Sequence, residues 1–214
     1  MPSQLIFPIE PRARLTRADF IAAPGNARAL AFLESFPHWP APAAALYGPA
    51  ASGKSHLAQI WADLAGATVI RAADLGNLPA GAVVIEDVDT APAHAHERGL
   101  FALFERGTPL LLTGRTRPAA WHVALPDLAS RYVAILAFDL GAPDDELLAQ
   151  LAAKLFADRQ LKVPESVIRS MIERLARSPE AIRDFVALAD ARALSEKRPI
   201  NLGLIRDLLA TPSS

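Results

Sequence analysis

Gly48-Pro49-Ala50-Ala51-Ser52-Gly53-Lys54-Ser55 is a complete G-x-x-x-x-G-K-[ST] pattern. The residues on either side supply its context. Ala44-Ala45-Leu46-Tyr47 ahead of it predicts a short buried strand, and the chain after it takes up the apolar spacing of a helix. In such a strand-to-helix turn the glycines let the backbone curl, so that successive N–H groups face a phosphate chain at the helix N-terminus. Lys54 would carry a mobile charge to the β- and γ-phosphates, and the Ser55 hydroxyl would reach Mg²⁺. The expected ligand is a nucleotide, ADP or ATP, with Mg²⁺.

Working outward, further apolar runs stand at Thr68-Val69-Ile70, Ala82-Val83-Val84-Ile85, Pro109-Leu110-Leu111-Leu112-Thr113 and Val133-Ala134-Ile135-Leu136. Unbroken apolar strands alternating with helical patterns suit a parallel sheet covered on both faces. The fold expected for residues 16–140 is therefore an α/β sandwich with a five-stranded parallel sheet. A first amphipathic helix is predicted over about residues 25–36, ended by the proline-rich stretch Pro37 to Pro42. After Gly141 the pattern is helical only, with apolar rows at Leu147, Leu151 and Leu155, at Val167, Ile168, Met171, Ile172 and Leu175, and at Ile182, Phe185, Val186 and Ala189. Ser178 followed by Pro179 reads as an N-cap with proline at the first helical position. Residues 141–214 are thus expected to form a small all-helical lid, and the prolines of residues 1–15 predict an extended arm.

The run Val83-Val84-Ile85-Glu86-Asp87-Val88-Asp89 places carboxylates at the end of a buried strand, the position that holds the Mg²⁺-bound water shell in phosphate-loop proteins. The usual order is Asp then Glu, whereas here Glu86 takes the metal place and Asp87 the water-polarising place. Each side chain is then out by one methylene, roughly 1.5 Å, and misplacement of that order can cost about 10²-fold in rate. Slow intrinsic hydrolysis is the expectation.

The 22 basic and 23 acidic residues leave a formal charge of −1, which provides no broad positive field for the phosphate backbone of DNA. The chain has no cysteine, no secretory signal and no apolar run of bilayer length, so a cytoplasmic location away from membranes is expected. His94-Ala95-His96 diverges on a helix with no third ligand near and reads as solvated surface. Trp39, Trp61 and Trp121 read as core packing.

Together these segments resemble the AAA+ module of the DnaA family of bacterial replication initiators, and more closely its shorter Hda-type members. Phe20 to Asn26 is similar to the family's motif near the adenine, and Gly48 to Leu57, with His56, to its phosphate loop. Leu111-Leu112-Thr113-Gly114-Arg115-Thr116-Arg117-Pro118 is similar to the sensor 1 strand and loop, with Arg115 where an acid is usual. Leu125-Pro126-Asp127-Leu128-Ala129-Ser130-Arg131 resembles the segment that carries the arginine finger, which implies that role in trans for Arg131. Arg183 matches the sensor 2 arginine that touches nucleotide phosphates from the lid. Gln4-Leu5-Ile6-Phe7-Pro8-Ile9 resembles the peptide with which Hda-type proteins bind the DNA sliding clamp; Gln4 would hydrogen-bond, and Leu5, Phe7 and Ile9 would fill an apolar cleft.

The resemblance implies a nucleotide-binding regulator of replication initiation that docks on the sliding clamp (the polymerase III β subunit) and stimulates hydrolysis of DnaA-bound ATP, with homo-oligomers also within the family's range. DnaA continues into a helix-turn-helix domain where this sequence stops at Ser214, so specific DNA binding is not expected. Two alternatives stay open at this point. One is a self-contained phosphate-loop ATPase or kinase, and the other is a DnaA-like loader acting on DNA.

Overall fold

The computed structural model describes residues 15–210. Its sheet consists of β1 (Ala43–Tyr47), β2 (Thr68–Arg71), β3 (Val83–Glu86), β4 (Leu110–Gly114) and β5 (Leu136–Asp139). The strands are all parallel and lie in the order β2-β3-β4-β1-β5. The helices of this half are α1 (Ala27–Glu34), α2 (Lys54–Ala65), α3 (Ala93–Glu105) and α4 (Pro126–Ala134).

Period-two alternation sends neighbouring strand residues to opposite faces, and here each face meets helices. Ala44, Leu46, Val84 and Leu111 pack with Leu30 and Leu33 of α1 and with Leu57, Ile60 and Trp61 of α2. Ala43, Ala45, Val83, Ile85, Leu110 and Leu112 pack on the other face with Leu100 and Leu103 of α3 and Leu128 and Tyr132 of α4. Both faces being covered explains why the central strands are apolar without interruption.

The fifth strand is not where the sequence pattern put it. Val133 and Ala134 finish α4, and β5 starts at Leu136. Pro126 at the first turn and the buried pair Leu128 and Tyr132, four residues apart, commit this stretch to a helix. The apolar run therefore straddles a junction, and Val133 is left exposed.

The helical half contains α5 (Asp145–Asp158), α6 (Glu165–Ile172), α7 (Pro179–Glu196) and α8 (Leu202–Ala210), which enclose a core of their own. Asp144 caps α5 by accepting from Leu147 N at 2.8 Å. Ser178 caps α7 by accepting from Ala181 N at 3.1 Å, as its Ser-Pro start predicts. The rows expected on α6 and α7 are buried except for Leu175, which lies beyond α6 and is partly covered, and α5 turns Leu148, Leu151, Ala152 and Phe156 inward, with Leu147 and Leu155 only partly covered. All three tryptophans pack as expected: Trp61 is fully buried with Trp39 stacked on it at 5.0 Å, and Trp121 is buried on the opposite face.

Candidate functional site

The phosphate loop leaves β1 at the carboxyl edge of the sheet, where ligands of open parallel sheets bind. Gly48 has φ +147°, and a Cβ there would lie 2.0 Å from the Leu140 carbonyl oxygen, so only glycine fits. Its N–H donates to the Gly114 carbonyl at 3.3 Å, tying the loop to the end of β4. Ala51 (φ +62°) and Gly53 (φ +95°) turn the loop into the N-terminus of α2. The Lys54 ammonium donates to the Gly48 and Pro49 carbonyls at 2.8 and 2.7 Å and to Ser52 Oγ at 3.4 Å. Burial holds the Lys54 pKa below its ordinary value; Asp87 and Asp89 pull the other way, and Arg115 adds to the depression. Ser55 is exposed on the first turn of the helix. A glycine where no Cβ is tolerated, a helix N-terminus and a half-buried ammonium fit a nucleotide's phosphate chain.

At the acidic strand end, Glu86 closes β3 and Asp87 takes a left-handed φ of +60°, a conformation Asp tolerates and functional sites often hold. Asp87 N donates to Thr113 Oγ1 at 3.2 Å, and Val88 N donates to the Thr113 carbonyl at 2.9 Å. Lys54 feels Asp87 most strongly of the three acids, then Asp89, with Glu86 weakest. Asp89 was missed as a site residue by the sequence reading. Its Oδ2 accepts from Arg115 N, Thr116 N and Thr116 Oγ1, each at 2.8 Å, and so pins the loop after β4 against the acidic segment. The available signal was its spacing, two residues past Asp87 with buried Val88 between them.

His56 is buried on α2, and its Nε2–H donates to the Thr16 carbonyl at 2.8 Å while Phe20 meets the ring edge-on at 5.0 Å. Burial depresses its pKa, and the Arg183 cation of α7 adds to this. Asp19 accepts from Thr16 Oγ1 at 2.6 Å and from Lys154 of α5 at 3.1 Å. These bonds hold its carboxyl below the usual range. Buried Asn26 fixes the preceding turn, accepting from Ala23 N at 2.8 Å and donating to the Ile21 carbonyl at 3.1 Å. A cavity of about 40 Å³ lies between Ala23–Asn26, Ser52 and the β5–α5 connection.

Arg131 stands apart from this cluster. Its guanidinium donates to Glu105, the last residue of α3, and lies 5.7 and 5.5 Å from the ring centres of Phe101 and Phe104. Glu105 precedes the start of β4, whose far end touches the phosphate loop. Among the described residues Arg131 makes no hydrogen bond or ion pair with the phosphate loop.

His96, read as solvated surface, is buried. The next residue, Glu97, accepts from Ala124 N at 2.5 Å, so this turn of α3 packs under the 121–125 segment. The side chain of His94 lies outside the described residues. No cluster of metal-ligating side chains occurs among the described residues, and none of the described helices is long and apolar enough to cross a membrane. Gln4, Leu5, Phe7 and Ile9 lie outside the described residues.

No family model matches the chain. Among solved structures, domain III of the replication initiation protein DnaA from Thermotoga maritima is similar over 92% of this chain and 95% of that one, with TM-score 0.76 and 20% identity. AMPPCP-bound DnaA from Aquifex aeolicus is similar over 86% of this chain and 67% of that one (TM-score 0.70, 16% identity). The Thermotoga maritima RuvB Holliday junction branch migration motor is similar over 90% and 70% (TM-score 0.71, 16% identity). The chain therefore has a DnaA-like AAA+ fold, shared with RuvB.

Proposed function

We propose that this chain is an Hda-like AAA+ regulator that binds ADP or ATP with Mg²⁺ and presents Arg131 to nucleotide held by DnaA. Gly48–Ser55 would cradle the phosphates, with His56 and Arg183 completing the cofactor site and Ser55 and Glu86 serving the metal. The placement of Arg131 is the observation that carries the reading. An arginine whose guanidinium is held by a carboxylate and two rings of α3 is engaged with that helix and not with its own phosphate loop. It is disposed to meet a neighbour's γ-phosphate, where a guanidinium offsets charge in the transition state. The AMPPCP-bound DnaA structure supports the nucleotide part of the reading. The Gln4, Leu5, Phe7 and Ile9 arm would tether the chain to the DNA-loaded clamp, giving an extended peptide with alternating anchors.

A reconstituted turnover assay of DnaA-bound ATP, run with and without loaded clamp, tests this. The chain should accelerate turnover only with the clamp present, and Arg131→Ala should remove the acceleration by about 10³-fold while leaving nucleotide affinity intact. Arg131→Lys should rescue poorly, since lysine lacks the planar fork. Acceleration retained by the alanine variant would sink the arginine role, and clamp-independent acceleration would sink the tether. Rapid ATP turnover by the chain alone would favour a self-contained ATPase.

A further inference from the structure

We propose that a groove between α5 and α6 of the helical half holds residues 4–9 of this same chain, so that the arm docks in cis and must leave the groove before it engages another protein. The docking is argued from the groove and from where the chain enters the structure; only its consequence rests on the clamp reading above.

The groove lies at the C-terminal end of α5 and has a volume of about 490 Å³, within the size range of ligand-binding clefts. Phe156 and Ile168, both buried, line its floor, and Leu161 and Val163 of the α5–α6 connection are partly covered along it. Ala157 is exposed on the α5 side, where its methyl group is too small to fill the space. Lys162 is exposed at the same place and, among the described residues, makes no hydrogen bond or ion pair. An apolar cleft with a cation at its edge suits an extended peptide that carries large apolar side chains and an acid.

The occupant follows from where the chain enters. Thr16 Oγ1 donates to Asp19 at 2.6 Å, Lys154 donates to Asp19 at 3.1 Å, and the same ammonium donates to Asp158 at 2.8 Å. An unbroken set of bonds thus leads from the first described residues to the neighbour of Ala157. Residues 10–15 separate Ile9 from Thr16 and reach about 20 Å when extended, whereas Lys154 and Ala157 differ by roughly 5 Å of helical rise. The arm therefore has length to spare. Alternation along an extended chain puts Leu5, Phe7 and Ile9 on one face, and Glu10, directly after Ile9, can meet Lys162. The other terminal stretch, Thr211–Ser214, has no large apolar side chain to offer. A short linker keeps the effective concentration of the arm at roughly millimolar, so even a weak apolar contact is occupied. The clamp needs the same side chains and then meets only the undocked fraction of the arm.

Photocrosslinking of the full chain with benzoylphenylalanine in place of Phe7 reads the docking without any partner. Mass spectrometry should map an intramolecular crosslink to residues 153–168. Ala157→Glu sets a carboxylate in the groove at an exposed position and should lower the crosslink yield about fivefold or more. Lys162→Glu should lower it about twofold, and Glu10→Lys added to that variant should bring it back. In the chain without the photoprobe, Ala157→Glu should tighten clamp binding by about threefold or more. No crosslink, a crosslink elsewhere, crosslinked dimers, or a yield that neither groove substitution changes overturns the proposal. Clamp affinity that Ala157→Glu leaves unchanged overturns it as well. If the intramolecular crosslink forms as expected but no form of the chain binds the clamp, the docking in cis stands and the tether reading alone falls.

Discussion

Lys54 and Arg131 are both cations whose donors are used inside the molecule, and the two are held in different ways. Lys54 turns back onto two neutral backbone carbonyls in a half-buried loop. Arg131 donates to a carboxylate and lies over two rings, at an edge where the arginine and glutamate side chains keep 38% and 54% of their exposure. A phosphate offers Lys54 an opposite charge that the carbonyls it would give up do not carry. Arg131 already has a charged partner, but water screens that pair, and exposed pairs contribute little. Each cation can therefore be released to an anion, the first because its partners are uncharged and the second because solvent weakens its hold.

The largest effect on nucleotide binding should come from Lys54→Ala. Each lost charge-assisted bond is worth about 1.5–3 kcal/mol, so adenine nucleotide affinity should fall by roughly 10²-fold or more. Unchanged affinity in calorimetry would mean that the lysine belongs to its loop and not to a ligand. A smaller effect should separate the second region from the first. Glu105→Gln should change unfolding free energy by less than about 1 kcal/mol, a shift of no more than about 4 °C in Tm for a chain of this size, with nucleotide affinity untouched. A loss of several kcal/mol in chemical denaturation would show that the edge pair behaves as a buried one and would erase the contrast.

The mildest test is the pH dependence at His56. Burial and the Arg183 cation keep its folded pKa below the ordinary 6.5, so the unfolded chain takes up a proton first on acidification. The stability from its neutral ring is full above pH 6.5 and is lost as pH falls from there toward the folded value. Denaturation at pH 7.5 and 5.5 should therefore show a smaller acid loss for His56→Gln than for the unaltered chain. An equal loss in both would assign the acid sensitivity to another group.

Much of the α/β half could be read from local pattern because its central strands are covered on both faces and the glycine spacing of Gly48–Ser55 has a single structural use. The misplaced fifth strand shows where such reading stops. Val133 to Leu136 is apolar throughout, and only the packing of Leu128 and Tyr132 against Trp121 and α3 decides that helix continues to Ala134. His96 illustrates the same limit: a polar residue on a helix looks solvated until the 121–125 segment closes over it. The residues of the site were recognisable by type, but their bonding was not. Lys154 reaching Asp19 and Arg131 reaching Glu105 join positions far apart in sequence, and Asp89 becomes a structural clamp only once β4 lies beside β3.

The first described residues meet two parts of the molecule at once. The Thr16 carbonyl is bonded to His56 on the helix that follows the phosphate loop, and three residues later Asp19 is bonded to Lys154 on α5. Mechanically, the Thr16–Asp19 stretch is a bridle whose two reins run to the core and to the helical half. A pull on the chain ahead of Thr16 is divided between α2 and α5 before it reaches the sheet.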